Sequence, residues 1–222
     1  MKILIINPNS NEEYTKKMEK EAQEWAGDDF EVHAVCTPGA PKFIDYYTDE
    51  VAAAPGMIQI VKDNEAEYDA FIISCTQDPN VDALRQVTNK PVIGGCESSI
   101  KIASMLGHSF SVLSGRHSAA NKEAVIRKFN MQSSCASVRC PDKDEYDTPE
   151  EAADAMMEAC RKAVEEDLAE VIVNHGGVNA EEATKRFGVP VINALVCSMI
   201  IASGLAKAGY STSKVRRYKD YE

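Results

Sequence analysis

The chain has 222 residues, of which 44% are hydrophobic and 27% are charged, so it can bury a sizeable core and is not a candidate for intrinsic disorder. Its length suits one large domain or two small ones of about 100 residues each. The formal net charge of -11 argues against a nucleic-acid partner, because binding of that polymer begins with a basic patch, and the basic run KVRRYK near the end is short.

Short runs rich in Ile and Val alternate with longer amphipathic stretches, which is typical of strand-helix-strand units and of a parallel sheet covered on both faces. In the first half the pattern predicts strands near 2-6, 30-35, 70-74 and 91-94. In the second half it predicts strands near 109-113, 135-139, 171-174 and 190-193. Helices are predicted in the gaps, with start signals at Asp78-Pro79, Thr148-Pro149 and Asn179.

The fourth strand and the following helix of each half are near copies. The sequence reads PVIGGCESSIKIASMLG from Pro91 and PVINALVCSMIIASGLA from Pro190. This duplication predicts two similar lobes, 1-97 with 207-222 as the first and 98-206 as the second. Cys75 and His175 stand at nearly the same distance before the two copies. A thiol and an imidazole are therefore expected at equivalent strand ends, where a pseudo-twofold relation between the lobes would set them facing each other.

The sequence shows no clear motif for secretion, membrane insertion, metal binding or cofactor binding. The start MKILIINPNS has an apolar run too short for a signal peptide, and the apolar stretch 189-206 is interrupted by polar residues, so we expect a cytoplasmic protein without a membrane partner. The seven cysteines and four histidines lack metal-ligand spacing, and no phosphate- or dinucleotide-binding glycine motif is present. We expect no metal, no cofactor and a small-molecule substrate, on a surface that tolerates a homodimer or tetramer.

Ligands of open parallel sheets bind beyond the carboxyl ends of the strands, so the polar residues that directly follow an Ile/Val run form the candidate site. Most of them are small hydroxyl, amide or glycine residues, a set that suits a carboxylate or an enolate-like oxygen. They are Asn7, Pro8, Asn9, Ser10, Cys75, Thr76, Gln77, Asp78, Glu97 and Ser98 in the first half, and Ser114, Gly115, Arg116, His117, Asn174, His175, Gly176 and Gly177 in the second.

Cys75 is the candidate reactive thiol. A helix opened by Asp78-Pro79 would lower the pKa of the Cys75 thiol from about 8.5, which would make a thiolate usable as base or nucleophile. The alternatives are a buried structural thiol at Cys75 and, at His175, a ring held by backbone groups at a turn. The long segment 36-50 is predicted either to close over the site or to be a plain surface loop. The remaining thiols are interpreted as small core residues: Cys36, Cys96, Cys135, Cys140, Cys160 and Cys197.

Five motifs resemble the hydantoin racemase branch of the aspartate/glutamate racemase superfamily: INPNSN, TPGAPKFID, SCTQDP, PVIGGCESS and FSVLSG. The resemblance spans nearly the whole chain. It implies two similar α/β lobes with the active site between them, and cofactor-free inversion of a carbon next to a carbonyl in a small amino-acid derivative. It also implies a catalytic role for Cys75, substrate contacts by Asn9, Ser10, Thr76 and Ser114, and backbone N-H donation by Gly176 and Gly177.

Where the family pattern has its second cysteine, this chain has His175. Inversion needs one group to remove a proton from one face and another to supply a proton to the opposite face. A thiolate with an imidazolium holds as many protons as a thiol with a neutral imidazole, so we expect Cys75 and His175 to exchange these roles. Two alternatives stay open: a cofactor-free decarboxylase, lyase or cis-trans isomerase of a small dicarboxylic acid that uses Cys75 alone, and a non-catalytic small-acid binding protein.

Overall fold

The computed structural model describes residues 1-219 and confirms the predicted α/β class, with two four-stranded parallel sheets flanked by helices. The chain divides into two compact units. The first unit comprises Met1-Gly95 and the described chain from Ser198 onward, and the second comprises Cys96-Cys197. The prediction assigned 220-222 to the first lobe, and these three residues lie outside the described residues.

The first unit contains one sheet with the strand order β2-β1-β3-β4, and every neighbouring pair is parallel. Its strands are β1 (Lys2-Asn7), β2 (Glu31-Cys36), β3 (Ala70-Ile73) and β4 (Val92-Gly94). Its helices are α1 (Glu12-Ala26), α2 (Tyr47-Asn64), α3 (Val81-Val87) and, from Ser198 onward, α8 (Ala194-Lys207).

The second unit repeats this arrangement with the order β6-β5-β7-β8, again all parallel. Its strands are β5 (Phe110-Leu113), β6 (Cys135-Arg139), β7 (Val171-Asn174) and β8 (Val191-Asn193). Its helices are α4 (Gly95-Leu106, from Cys96 onward), α5 (Ala119-Lys128), α6 (Pro149-Glu165) and α7 (Ala180-Phe187). All eight strands agree with the predicted ones to within one residue at each end.

Alternation along the strands gives each sheet two apolar faces. In the second unit, one face packs against α4 and α5, and the other packs mainly against α6. The first of these clusters contains Phe110, Val112, Val171 and Val173 with Ile100 and Ile126, and the second contains Leu113 and Ile172 with Met156, Cys160 and Ala163. Because both faces are covered, the edge formed by the carboxyl ends of the strands is where polar side chains are accommodated.

Two of the three predicted helix starts are confirmed. The Thr148 hydroxyl accepts a hydrogen bond from the Glu151 N-H (3.2 Å), and the Asn179 carboxamide oxygen accepts one from the Glu182 N-H (3.1 Å). The start predicted at Asp78-Pro79 is wrong, because Asp78 and Asn80 have φ of 53° and 59°, in the left-handed region. Helix α3 therefore begins at Val81, further from Cys75 than expected.

Burial fixes the protonation of several cysteines. It raises the pKa of Cys135 and Cys160 to about 11 and that of Cys197 to about 12, and it also raises the pKa of Cys140. These four thiols are therefore protonated at neutral pH.

Among the helices of residues 1-219, none combines the length and the apolar character needed to cross a bilayer.

Candidate active site

Most of the predicted site residues lie at one edge of each sheet, after the two central strands, whereas Glu97 and Ser98 lie in α4 after the edge strand β4. In the first sheet the connection from β1 leads to β2 on one side and the connection from β3 leads to β4 on the other, so β1 and β3 form a topological switch point. In the second sheet, β5 and β7 have the same relation. The structure thus groups Asn9, Ser10, Cys75 and Thr76 in the first unit, and Ser114, His175, Gly176 and Gly177 in the second.

A series of asparagines shapes the loop after β1. The Asn7 carboxamide nitrogen donates to the Thr15 hydroxyl (2.9 Å), and the Asn7 carboxamide oxygen accepts a hydrogen bond from the Asn9 N-H (3.3 Å). The Asn9 oxygen accepts from the Asn11 N-H (2.9 Å), and the Asn11 oxygen caps α1 by accepting from the Tyr14 N-H (3.0 Å). Asn9 thus helps to build the loop with its oxygen.

The loop that carries Cys75 is a tight turn against the end of β4. The Asp78 N-H donates to the Cys75 carbonyl (3.1 Å), and a Cβ on Gly94 would lie 2.5 Å from the Asp78 carboxyl carbon. A Cβ on Gly95 would lie 3.4 Å from the Cys75 carbonyl oxygen. The two glycines therefore let the turn lie close to β4, and this packing places Cys75 and Thr76, both half-buried, at the edge of the sheet.

Residues 37-46, between β2 and α2, are tied to both strand-end loops of the first unit. The Thr37 hydroxyl donates to the Asn7 carbonyl (2.7 Å), and the exposed Ser10 donates its N-H to the Pro41 carbonyl (3.0 Å). The Gln77 amide donates to the Ile44 carbonyl (2.9 Å). This segment therefore contacts residues that adjoin Cys75, and its closure over a ligand stays a prediction.

Tyr14 is a neighbour of Cys75 that the sequence reasoning did not select. Partial burial raises the pKa of the Tyr14 phenol, and the negative charges of Glu21 and of a Cys75 thiolate raise it further. Tyr14 stands in the first turn of α1, directly after the asparagine loop. A phenol that stays protonated is thus within electrostatic reach of the Cys75 sulfur.

His175 is held by a serine on α4. Its Nε2 lies 2.9 Å from Oγ of the fully buried Ser99, whose hydroxyl donates to the Cys96 carbonyl (3.0 Å). The other ring nitrogen, Nδ1, is buried and has no hydrogen-bond partner among the described residues. Burial, and secondly the positive charge of Lys122, lower the pKa of His175 well below its usual value. The imidazole is therefore neutral at neutral pH.

The loop after His175 is closed by Asn174. The Asn174 carboxamide oxygen accepts from the N-H groups of Gly177 (3.0 Å) and Val178 (3.1 Å), and its nitrogen donates to the Val178 carbonyl (2.7 Å). Gly177 has a φ of 81°, and Gly176 lies directly against the Met156 side chain. The Gly177 N-H is thus used within the loop, so Gly176 is the better placed of the two predicted N-H donors.

Ser114 lies beside His175 at the same edge of the sheet. The His175 N-H donates to the Leu113 carbonyl (3.1 Å), which fixes the loop after β7 next to the end of β5. Ser114 is fully buried, and its hydroxyl lies 3.0 Å from the Ser118 hydroxyl. It therefore supports its own loop in this structure.

Sequence reasoning missed Ser99 and Lys122, although each left a signal. Lys122 is only 1% exposed and precedes the buried Ile126 by one helical turn, so it is a charged residue on the apolar face of α5. Ser99 occupies the same register position after Pro91 as Ser198 does after Pro190, and both serines are fully buried.

Within residues 1-219 there is no group of three or more His, Cys, Asp or Glu side chains arranged to hold a metal ion.

Comparison with known proteins gives one consistent family. The family described as Asp/Glu/Hydantoin racemase matches residues 3-199. The chain is 37% identical to a hydantoin racemase of Pseudomonas sp. (strain NS671), covering 99% of this chain and 91% of that protein, and 31% identical to a hydantoin racemase of Paenarthrobacter aurescens, covering 99% and 97%. The solved structure of an allantoin racemase from Klebsiella pneumoniae superimposes with a TM-score of 0.90 at 26% identity, covering 100% of this chain and 94% of that one.

Proposed function

Since the chain belongs to the Asp/Glu/hydantoin racemase family and is an isomerase of the racemase type, we propose that it inverts the carbon next to a carbonyl in a hydantoin-like ring. The proposed reaction uses Cys75 and His175 on opposite faces of that carbon and needs no cofactor. Hydantoin-ring substrates are favoured because the similar proteins are named hydantoin racemases and allantoin racemase.

The observation that carries this mechanism is the state of His175. A neutral imidazole whose buried Nδ1 has no hydrogen-bond partner among the described residues has a lone pair that can take a proton. In the proposed step His175 removes the α-proton of one enantiomer, and the C-H electrons pass into the carbonyl to form an enolate. The Cys75 thiol then gives its proton to the opposite face, and the electrons return to the carbon.

One turnover in this direction leaves a Cys75 thiolate and a His175 imidazolium, which is the pair required to invert the other enantiomer. Because burial disfavours the imidazolium, the thiol and neutral imidazole form the resting pair in this proposal. The resting enzyme is thus ready for one enantiomer and must transfer a proton before it accepts the other. The two directions are therefore expected to differ in their dependence on pH.

The enolate needs hydrogen-bond donors where its negative charge develops. The Gly176 N-H in the second unit and the half-buried Thr76 and exposed Ser10 in the first are the groups that we assign to substrate binding. The Asn9 and Ser114 side chains are assigned to supporting these loops, since both already bond within them.

The test is incorporation of solvent deuterium by the wild type and by Cys75→Ser, with single enantiomers of 5-substituted hydantoins and of allantoin. Without the thiol, no acid is present on the second face, so the enolate recovers the hydrogen that His175 holds. We expect Cys75→Ser to lose racemisation and to place no solvent deuterium on the opposite enantiomer. Racemisation at the wild-type rate would remove Cys75 from the mechanism.

Cys36→Ser is the matched control and should keep wild-type rates, since Cys36 is a half-buried thiol at the end of β2, an edge strand of the same sheet that β1 separates from β3. Aspartate, glutamate and substituted malonates complete the substrate panel. Release of carbon dioxide from a malonate would indicate a decarboxylase, and tight binding of a hydantoin without turnover would indicate a binding protein. Either result would overturn the racemase assignment.

A further inference from the structure

We propose that Ser99 is a positioning residue that holds His175 in the tautomer protonated on Nε2, so that Nδ1 is the nitrogen that exchanges a proton with the substrate. The tautomer itself follows from hydrogen-bond geometry within the second unit. The role of Nδ1 in proton transfer rests in addition on the proposed function.

The Ser99 hydroxyl has a single proton to donate. A carbonyl oxygen can only accept, so the hydroxyl proton points to the Cys96 carbonyl, 3.0 Å away. The remaining lone pairs of Oγ are acceptors, and Nε2 of His175 lies 2.9 Å from Oγ. A hydrogen bond at this distance requires a proton, and with Oγ as acceptor that proton belongs to Nε2.

The surroundings of the second ring nitrogen, Nδ1, independently favour the tautomer protonated on Nε2. Nδ1 of His175 is buried and has no hydrogen-bond partner among residues 1-219. A proton on Nδ1 would therefore be a buried donor without an acceptor, while at the same time Nε2 would lose the proton that it donates to Ser99. Both effects disfavour the alternative tautomer.

The elements that carry the two residues hold them rigidly. Ser99 is fully buried in the first turns of α4, between Cys96 and Ile100, which are both core residues of the second unit. His175 directly follows β7, whose Val173 belongs to the same core cluster. The bond of Ser99 to the carbonyl three residues earlier fixes its side-chain rotamer. The distance between Oγ and Nε2 is thus set by core packing.

This arrangement suits a group that gains and loses a proton during turnover. The neutral ring donates Nε2-H to Ser99 and keeps the Nδ1 lone pair for the substrate. The imidazolium donates the same Nε2-H to Ser99 and carries the transferred proton on Nδ1. The Ser99 bond is present in both states, so the ring does not have to turn between them.

The direct test is nitrogen-15 NMR of the wild-type protein, with the His175 signals assigned by their loss in His175→Gln. Protonated and unprotonated ring nitrogens of neutral imidazole resonate far apart. We expect the protonated signal at Nε2 and the unprotonated signal at Nδ1 at neutral pH. The opposite pattern would overturn the proposal, and this measurement does not depend on a variant of Ser99.

Ser99→Ala tests the positioning role, with Ser99→Thr restoring the hydroxyl. We expect Ser99→Ala to shift the tautomer towards Nδ1-H and to lower kcat about tenfold with little change in KM, the scale set by the loss of one buried hydrogen bond. Ser111→Ala is the control, because Ser111 is a fully buried serine of β5 that bonds Ser137 at 2.7 Å. An unchanged tautomer in Ser99→Ala, or an equal loss of kcat in Ser111→Ala, would refute the role.

The two proposals fail separately. Racemisation at the wild-type rate by His175→Gln would overturn the proposed function, whereas the tautomer is measured on the ring itself. A His175 ring protonated on Nδ1 would overturn the role of Ser99 and leave Cys75 and the racemase assignment as they stand.

Discussion

The buried ammonium of Lys122 opposes a positive charge on the imidazole of His175. Burial of the ring is the larger cause of the lowered His175 pKa, and Lys122 is the second. Lys122 lies on the apolar face of α5 and is 1% exposed, so solvent screens its charge little. Burial of the ring and the charge of Lys122 thus keep His175 unprotonated and able to act as a base.

Replacement of Lys122 by Met should raise the pKa of His175, because it removes the nearby charge. The pKa should remain below its ordinary value, since burial persists. The measurement is an NMR titration of the His175 ring. Lys128→Met, an exposed lysine on the same helix, changes the net charge equally and should leave the His175 pKa in place. Equal shifts in both variants would show that the effect of Lys122 is not local.

The lowered pKa of His175 also predicts how stability depends on pH. Below about pH 6.5 the unfolded chain binds a proton at this histidine while the folded protein does not, so the free energy of unfolding falls as the pH falls, by at most about 1.4 kcal/mol per pH unit. Above that pH the contribution is fully present. Urea denaturation at pH 7.5 and 5.5 should show a smaller acid loss for His175→Gln than for the wild type. Identical losses would mean that His175 titrates normally in the folded protein.

The positions of the central strands follow from sequence because these strands are covered on both faces and therefore form continuous Ile/Val runs, as in Ile3-Ile6 and Val171-Val173. The rule that ligands bind at the carboxyl ends of strands selected Cys75 and His175 on the same grounds. The strand positions and these two strand-end residues are indicated by local sequence patterns, so a single sequence is sufficient to predict them.

Two features of the site were beyond that reasoning for identifiable reasons. The bond of Ser99 to His175 joins residues 76 positions apart, and no local pattern specifies such a pairing. Asp78 before Pro79 has the composition of a helix start, yet the left-handed φ of Asp78 and Asn80 extends the turn and delays the helix. Backbone geometry of this kind is decided by the packing of the turn against Gly94, which the sequence does not display.

Gly94→Ala should reduce activity through Cys75. The new methyl group would lie 2.5 Å from the Asp78 carboxyl carbon, so the buried Asp78 side chain must move. Because the Asp78 N-H bonds the Cys75 carbonyl, we expect the turn that carries Cys75 to shift with it. A displacement of about 1 Å at a reacting group lowers rates up to roughly 100-fold, and we expect a kcat loss of about 10- to 100-fold. The control is Gly204→Ala, since Gly204 lies inside α8 in open space. Wild-type kcat in Gly94→Ala would contradict the role of this packing.

Gly177→Ala should destabilise the protein through the loop after His175, whereas Gly204→Ala should stabilise it through helix α8. Gly177 has a φ of 81°, where an alanine costs about 1-2 kcal/mol, whereas alanine in a helix interior stabilises by about 0.5-1 kcal/mol. Thermal unfolding should therefore give a lower Tm for the first variant and a higher Tm for the second. A Gly177→Ala variant as stable as the wild type would show that the loop relaxes to another backbone conformation.

The proton exchange between Cys75 and His175 is tested most directly by the wild-type reaction in deuterium oxide, starting from one enantiomer of a 5-substituted hydantoin and stopped at low conversion. Two groups on opposite faces place a solvent deuteron on the product and leave hydrogen on the unreacted substrate. We therefore expect deuterium at the α-carbon of the newly formed enantiomer and hydrogen in the recovered starting enantiomer. Deuterium appearing in both enantiomers at equal rates would contradict it.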